Sequence, residues 1–239
     1  MRVFVAGVSG AIGRRLTPLL IGAGHDVIGM TRSAEVAREL QASRIHAAVV
    51  DVFDADALKR AVADARPDVV MHQLTDLPRV LHDQAELVAA YPRNARIRTE
   101  GTRNLVTAAK AAGARRFIVQ SVAFAYLPGK EPYAETDPLN LVDGPRLPTV
   151  RAAADMEQQV LSSGMEPIIL RYGLLYGPGT WTEGPERKPP LHVDAAAQAA
   201  FLTLTRGTGI YNIADDDGTV SIESARKELG FDPAFRLNA

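Results

Sequence analysis

Gly7, Gly10 and Gly13 stand at G-x-x-G-x-x-G spacing between an apolar run at 3–6 and a helical stretch from about 11 to 23. A glycine lacks Cβ, so the first permits a tight strand-to-helix turn, the second lets a pyrophosphate reach the backbone, and the third lets helix pack on strand. The helix start adds unpaired N–H groups and the positive end of the helix dipole. Ser9, Ala11 and Ile12 share that turn, and the whole reads as a dinucleotide cradle.

Two further stretches point the same way. The second apolar run ends Met30-Thr31-Arg32-Ser33, with no Asp or Glu where an NAD site places a carboxylate on the ribose hydroxyls. A guanidinium there binds a 2′-phosphate, so the expected cofactor is NADP, NAD remaining possible, with Arg32 as main contact and Ser33 and Arg14 assisting. The alternative is a surface arginine opening the next helix. Asp51-Val52 follows the third run, where a carboxylate accepts from the adenine amino group or caps a helix.

These residues need a scaffold that brings strand ends together. Apolar runs at 3–6, 27–30, 47–50, 69–71, 117–119 and 167–170 alternate with amphipathic stretches, the βαβ rhythm of a doubly wound parallel α/β sheet of Rossmann type. Right-handed crossovers put the strand carboxyl ends on one edge. Leu74, Thr75, Gln120, Arg171, Tyr172 and Gly173 then join the expected cofactor contacts. A helical stretch over 77–112 should break near Pro92. Pro128, Pro132, Pro138, Pro145 and Pro148 make 127–149 a loop over the sheet edge. The expected organisation is a dinucleotide-binding unit at 1–172 and a small C-terminal substrate region at 173–239, packed as one body.

Bulk properties exclude other classes. The chain has 239 residues, 46% hydrophobic content, a net charge of −1 and no cysteine. Disulfides and thiolate metal sites are thereby excluded. The arginines are scattered, so no nucleic acid is expected, and no apolar run approaches the roughly 20 residues that span a bilayer. The five histidines lack metal-ligand spacing, and no metal is assigned. The reading is a cytoplasmic protein acting on a small molecule, as monomer or homodimer.

In combination, Gly7-Val8-Ser9-Gly10-Ala11-Ile12-Gly13, Asp51-Val52, Glu100-Gly101-Thr102-Arg103-Asn104-Leu105, Phe117-Ile118-Val119-Gln120-Ser121, Arg171-Tyr172-Gly173-Leu174-Leu175-Tyr176-Gly177-Pro178-Gly179, His192-Val193-Asp194 and Ala225-Arg226-Lys227-Glu228-Leu229-Gly230 span nearly the whole chain. In that order they resemble the extended short-chain dehydrogenase/reductase superfamily, of the NAD-dependent epimerase/dehydratase type. The resemblance implies a nicotinamide cofactor. It also exposes departures. The family's Tyr-x-x-x-Lys pair, counted back from Glu157, falls on Thr149 and Ala153; its catalytic Ser/Thr falls on Val122, and its structural Asn on Arg98. Tyr126 and Lys130 repeat the spacing, but Pro128-Gly129 between them argues against a continuous helix.

The candidate catalytic residues are therefore Tyr126 as proton donor, Ser121 to polarise a carbonyl, and Tyr172 in reserve, the alternative for Tyr126 being a structural tyrosine under the loop. Asn94 and Arg98 share a helix face, to hold a substrate carboxylate or relay water, or simply to meet solvent. His72 reads as a packed, hydrogen-bonded residue. Between Gly179 and His192, and between Gly218 and Ala225, the segments that usually shape a substrate pocket in this family are short, which disfavours a nucleotide-sugar. The expected function is NADP(H)-dependent hydride transfer to or from a small carbonyl or alcohol. The competing reading is a catalytically inactive NAD(P)(H)-binding sensor or regulatory protein; an epimerase or dehydratase is a weaker third.

Overall fold

The computed structural model describes residues 1–237 except 44, 79, 81 and 82. Its central strands are β1 (Arg2–Ala6), β2 (Asp26–Thr31), β3 (His46–Val49), β4 (Val69–His72), β5 (Arg116–Val122), β6 (Glu166–Tyr172) and β9 (Gly209–Ile213). They form a parallel sheet in the order β3-β2-β1-β4-β5-β6-β9. The order reverses between β1 and β4, and the carboxyl ends on either side of that switch frame a crevice. The doubly wound expectation holds, each of the strands expected from the apolar runs overlapping its run. β9, drawn from the expected C-terminal region, completes the sheet beside β6.

Helices cover both faces. α1 (Ala11–Gly22) packs with α7 (Val193–Leu202) on one side, and α3 (Ala55–Ala65) with α5 (Thr102–Ala111) on the other. Two apolar clusters result, one around Val3, Val5, Leu16 and Leu170, the other around Phe4, Leu58, Leu105 and Phe117. Alternate β1 residues therefore face opposite layers, as a strand's period of two requires. α2 (Ala34–Ala42) follows β2.

Three local expectations are corrected. α4 (Gln84–Arg96) runs straight through Pro92, and the interruption comes later, as a π-helical turn at Ile97–Gly101 leading into α5. Pro92 lies on the exposed side, where water can take the carbonyl its missing N–H leaves. The helix begins at 84 rather than 77 because Asp83 caps it, its carboxylate accepting from the Glu86 N–H at 2.8 Å. α6 (Leu147–Leu161) starts inside the expected loop. Two short strands, β7 (Leu174–Tyr176) and β8 (Pro190–His192), escaped the sequence because three residues carry no periodicity.

Candidate cofactor and active site

The three glycines have different roles. A Cβ at Gly7, whose φ is +97°, would lie 2.4 Å from the Gln73 carbonyl oxygen, and one at Gly13 would lie 2.3 Å from that of Gly7. Close approach of the chain to itself thus demands both. Gly10 is different: it is exposed, and its nearest contact would be 3.3 Å. It is also the N-cap of α1, with no side chain capping the helix among the described residues. The main-chain N–H groups of Ala11, Ile12 and Gly13 are left to an outside acceptor. This bare turn fits a pyrophosphate. Arg14 turns back instead, its Nε donating to the Ser9 carbonyl at 2.9 Å.

At the adenosine end, Arg32 Nη1 stands 3.9 Å from Asp51 Oδ2, with both side chains substantially exposed. Ser33 caps α2, its Oγ accepting from the Val36 N–H at 3.2 Å. Asp51 Oδ1 accepts from the Phe53 N–H at 2.9 Å. Val52 is buried, and its carbonyl accepts from Asn104 Nδ2 at 2.9 Å. Gln120 Nε2 donates to the Leu74 carbonyl at 3.0 Å, tying β5 to the segment after β4. Thr75 beside it is exposed.

The expected catalytic groups prove to be committed elsewhere. Ser121 Oγ donates to Glu157 Oε1 at 2.6 Å, inside the protein. Arg171 grips the same carboxylate with Nε at 3.0 Å and Nη2 at 2.7 Å. Its Nη1 donates to the Tyr126 hydroxyl at 3.0 Å, and that hydroxyl donates to Asn212 Oδ1 at 2.6 Å. Tyr126 is 7% exposed, stacked on Tyr133, and burial pushes its pKa up. The Tyr126 phenol and the Ser121 hydroxyl, the expected proton donor and polarising group, are thus both hydrogen-bonded to buried side chains of the protein. Tyr172 is buried, its hydroxyl donating to the Ala196 carbonyl at 3.3 Å, and burial raises its pKa strongly. That bond ties it to α7. Arg171 likewise holds the core together and has no free edge for a cofactor. Gly173 serves packing: its N–H donates to Ile213, and a Cβ would lie 2.7 Å from the Pro189 carbonyl oxygen. Asn212, on a short apolar strand, gave no sequence signal.

Of the positions that the family gives to its acid/base groups, two hold apolar side chains, Val122 and Ala153, and the third holds Thr149, a hydroxyl in place of a phenol. Val122 and Ala153 belong to one buried cluster with Ala125 and Val150. Thr149 offers its carbonyl to Arg98 Nη1 at 3.3 Å. Asn94 and Arg98, a pair that sequence left open to solvent, are both buried; Asn94 Oδ1 accepts from the Asp76 N–H at 3.1 Å. Beside the cluster opens a cavity of about 140 Å³ lined by Phe124, Asn140, Arg146 and Val150 among others. The Arg146 guanidinium carbon sits 4.9 Å from the Phe124 ring centroid. His72 is packed as expected, Nε2 against Thr102 Oγ1 at 3.1 Å and Nδ1 accepting from the Leu74 N–H at 3.2 Å. Burial lowers its pKa to about 4, so the ring is neutral at pH 7.

Comparison with known proteins agrees with this geometry. The model of the NAD dependent epimerase/dehydratase family matches residues 3–214. A 3-diazoavenalumate denitrifying reductase from a Streptomyces species is 41% identical over 240 residues, covering 91% of this chain and 77% of that protein. A dTDP-4-dehydrorhamnose reductase from Streptomyces griseus is 29% identical over 265 residues, covering 98% and 78%. The fold matches UDP-glucose 4-epimerase from Thermotoga maritima, with a TM-score of 0.79 at 18% identity over 99% of this chain and 94% of that one. It also matches UDP-glucose 4-epimerase from Thermus thermophilus in complex with NAD, with a TM-score of 0.73 at 23% identity over 98% and 85%. The chain belongs to the NAD-dependent epimerase/dehydratase family.

Proposed function

We propose that this protein is an NADP(H)-dependent reductase whose substrate accepts hydride without drawing a proton from the protein. The carrying observation is that the family's Ser/Thr and lysine positions hold Val122 and Ala153, buried in one apolar cluster, and its tyrosine position holds Thr149, which has no phenol, alongside an intact pyrophosphate turn. The turn at Gly10 and the α1 start would hold the diphosphate, and Arg32 with Ser33 the 2′-phosphate end. A bound nicotinamide would supply the hydride. The apolar side chains exclude water from the reacting face and hold the substrate's orientation.

Carbonyl reduction leaves an alkoxide that needs a proton, and Tyr126, Ser121 and Tyr172 are engaged elsewhere. Reduction of an aryl diazonium has no such need. The hydride electron pair becomes the new C–H bond, the C–N pair leaves with dinitrogen, and a neutral arene remains. The Streptomyces relative is named for a reaction of this kind, a diazo compound reduced with loss of nitrogen. The test is transfer of deuterium from [4-²H]NADPH to 4-carboxybenzenediazonium, with the rate in the absence of protein subtracted. Protein-dependent deuterium in the benzoate product supports the reading. Bound NADPH with no transfer to diazonium or carbonyl substrates overturns it in favour of a cofactor-binding sensor.

A further inference from the structure

The cavity beside Phe124 combines a ring-sized apolar space with uncommitted charge of both signs. Phe124, Tyr126, Leu147 and Val150 give it apolar walls. Val150 also belongs to the cluster of Val122 and Ala153, so the cavity adjoins the family's Ser/Thr and lysine positions. The Tyr126 hydroxyl is bonded to Asn212, so this wall brings a ring and no free phenol. Main-chain bonds fasten the surrounding loop to the segment after β5: the Leu127 N–H donates to the Pro138 carbonyl and the Asn140 N–H to that of Ala125, each at 2.8 Å. At about 140 Å³ the cavity is near the size of an engineered one that holds a single benzene ring.

Three polar side chains share the lining: Asn140, Asp143 and Arg146. The Arg146 guanidinium carbon stands 4.9 Å from the Phe124 ring centroid, a cation–π contact that holds it against one wall. Its N–H groups donate to no described residue, and the Asp143 carboxylate has neither ion pair nor hydrogen bond among the described residues. The Phe124 ring thus takes the cation, and both charges stay available to a ligand. Asn140 Oδ1 accepts from the N–H groups of Val142 and Asp143 at 3.3 and 3.4 Å, which leaves Nδ2 without an acceptor among the described residues. Arg146 is also the N-cap of α6, whose first turn holds no acidic residue, so the helix dipole adds to its positive charge.

We propose that this cavity binds an aromatic carboxylate whose ring carries a hydrogen-bond donor or a positive charge, with the carboxylate on Arg146 and the donor or cation on Asp143. The ring fills the space bounded by Phe124 and Val150. A guanidinium offers paired N–H groups that match two carboxylate oxygens, while the Asp143 carboxylate can only accept, and it repels a second negative charge. A carboxybenzenediazonium, anionic at one end and cationic at the other, has this pattern. Use of the ligand as a hydride acceptor rests on the reductase reading; its binding does not.

Calorimetry with 4-aminobenzoate, a stable molecule of the same outline, tests the site with and without NADP⁺. The controls are 4-aminobenzyl alcohol, which lacks the carboxylate, and benzoate, which lacks the donor. 4-Aminobenzoate is expected to bind roughly tenfold or more tightly than either. Arg146→Met keeps an apolar stem over Phe124 and should abolish the preference for acid over alcohol; Arg146→Lys should restore part of it. Asp143→Ala should abolish the preference for 4-aminobenzoate over benzoate. Both positions are exposed, so Tm and NADP⁺ affinity should change little in these variants. Absence of 4-aminobenzoate binding to the wild type, or an acid preference that survives Arg146→Met, overturns the site, and an amino-group preference that survives Asp143→Ala removes Asp143 from it. Binding that depends on Arg146, with no deuterium transfer to 4-carboxybenzenediazonium, supports the site and overturns the reductase reading; undiminished transfer in Arg146→Met does the reverse.

Discussion

Arg171 and Glu157 meet in a two-pronged ion pair, with Nε and Nη2 on the two carboxylate oxygens and both side chains almost fully buried. It bolts β6 to α6 across the sheet edge. Glu157→Gln leaves the guanidinium facing a neutral amide, and loss of one partner of a buried pair typically costs about 3–5 kcal/mol. Urea denaturation should show a loss of that size. The double variant Arg171→Met/Glu157→Leu should recover part of it, because the cation bonded to the carboxylate leaves with it, while buried Arg98 still loses the field of Glu157. A single-variant loss below about 1 kcal/mol would mean the pair contributes little.

The same network decides what Tyr126→Phe should do. Removing the hydroxyl orphans Asn212 Oδ1 and one Arg171 N–H, a loss of about 1–3 kcal/mol of stability. Hydride transfer per folded molecule should be unchanged. Stable Tyr126→Phe protein with turnover down by about tenfold would return the phenol to the chemistry.

Gly10 and Gly13 separate binding from folding. Gly13→Ala forces a methyl to within 2.3 Å of the Gly7 carbonyl oxygen, so a large fall in Tm is expected. Gly10→Ala meets its nearest atom at 3.3 Å, which a small adjustment relieves, but the methyl stands where a diphosphate must approach. Its Tm should change little while NADP⁺ affinity falls. Equal Tm losses with unaltered NADP⁺ binding would sever this turn from the cofactor.

What sequence disclosed and what it hid follow from distance along the chain. The glycine turn and the strand runs are legible because the residues that define them lie within a few positions of one another. The partners that hold Ser121 and Tyr126 are hidden from sequence because they are 36 and 86 positions away, on elements whose docking no local pattern encodes. Thr149, Ala153 and Val122 could be counted from Glu157, but the burial of Val122 and Ala153 in one cluster, with Arg98 on the Thr149 carbonyl, needed the packing of α4 and the π turn against α6.

Arg32 tests cofactor choice. Its guanidinium is exposed and, among the described residues, held only by the long contact to Asp51, leaving donors for a 2′-phosphate. Arg32→Ala should weaken NADPH by roughly tenfold or more, the loss of a charge-assisted pair, and leave NADH nearly unchanged. Fluorescence titration with both cofactors reads the ratio. Equal losses for both would place Arg32 away from the phosphate that distinguishes them.

His72 makes stability depend on pH. Burial lowers its pKa from about 6.5 to about 4, so above the ordinary value the ring is neutral in both the folded and unfolded states and contributes no slope. As pH falls from 6.5 towards 4, the unfolded chain takes up a proton that the fold refuses, so stability drops, by on the order of 3 kcal/mol across the window. Below about 4 both states are protonated and the contribution levels off. His25 and His192 are also lowered by desolvation, so the comparison must be with a variant. In His72→Gln, the difference in unfolding free energy between pH 7 and pH 5 should shrink by about 2 kcal/mol relative to wild type. An identical difference in the two proteins would show that His72 titrates alike whether the chain is folded or not.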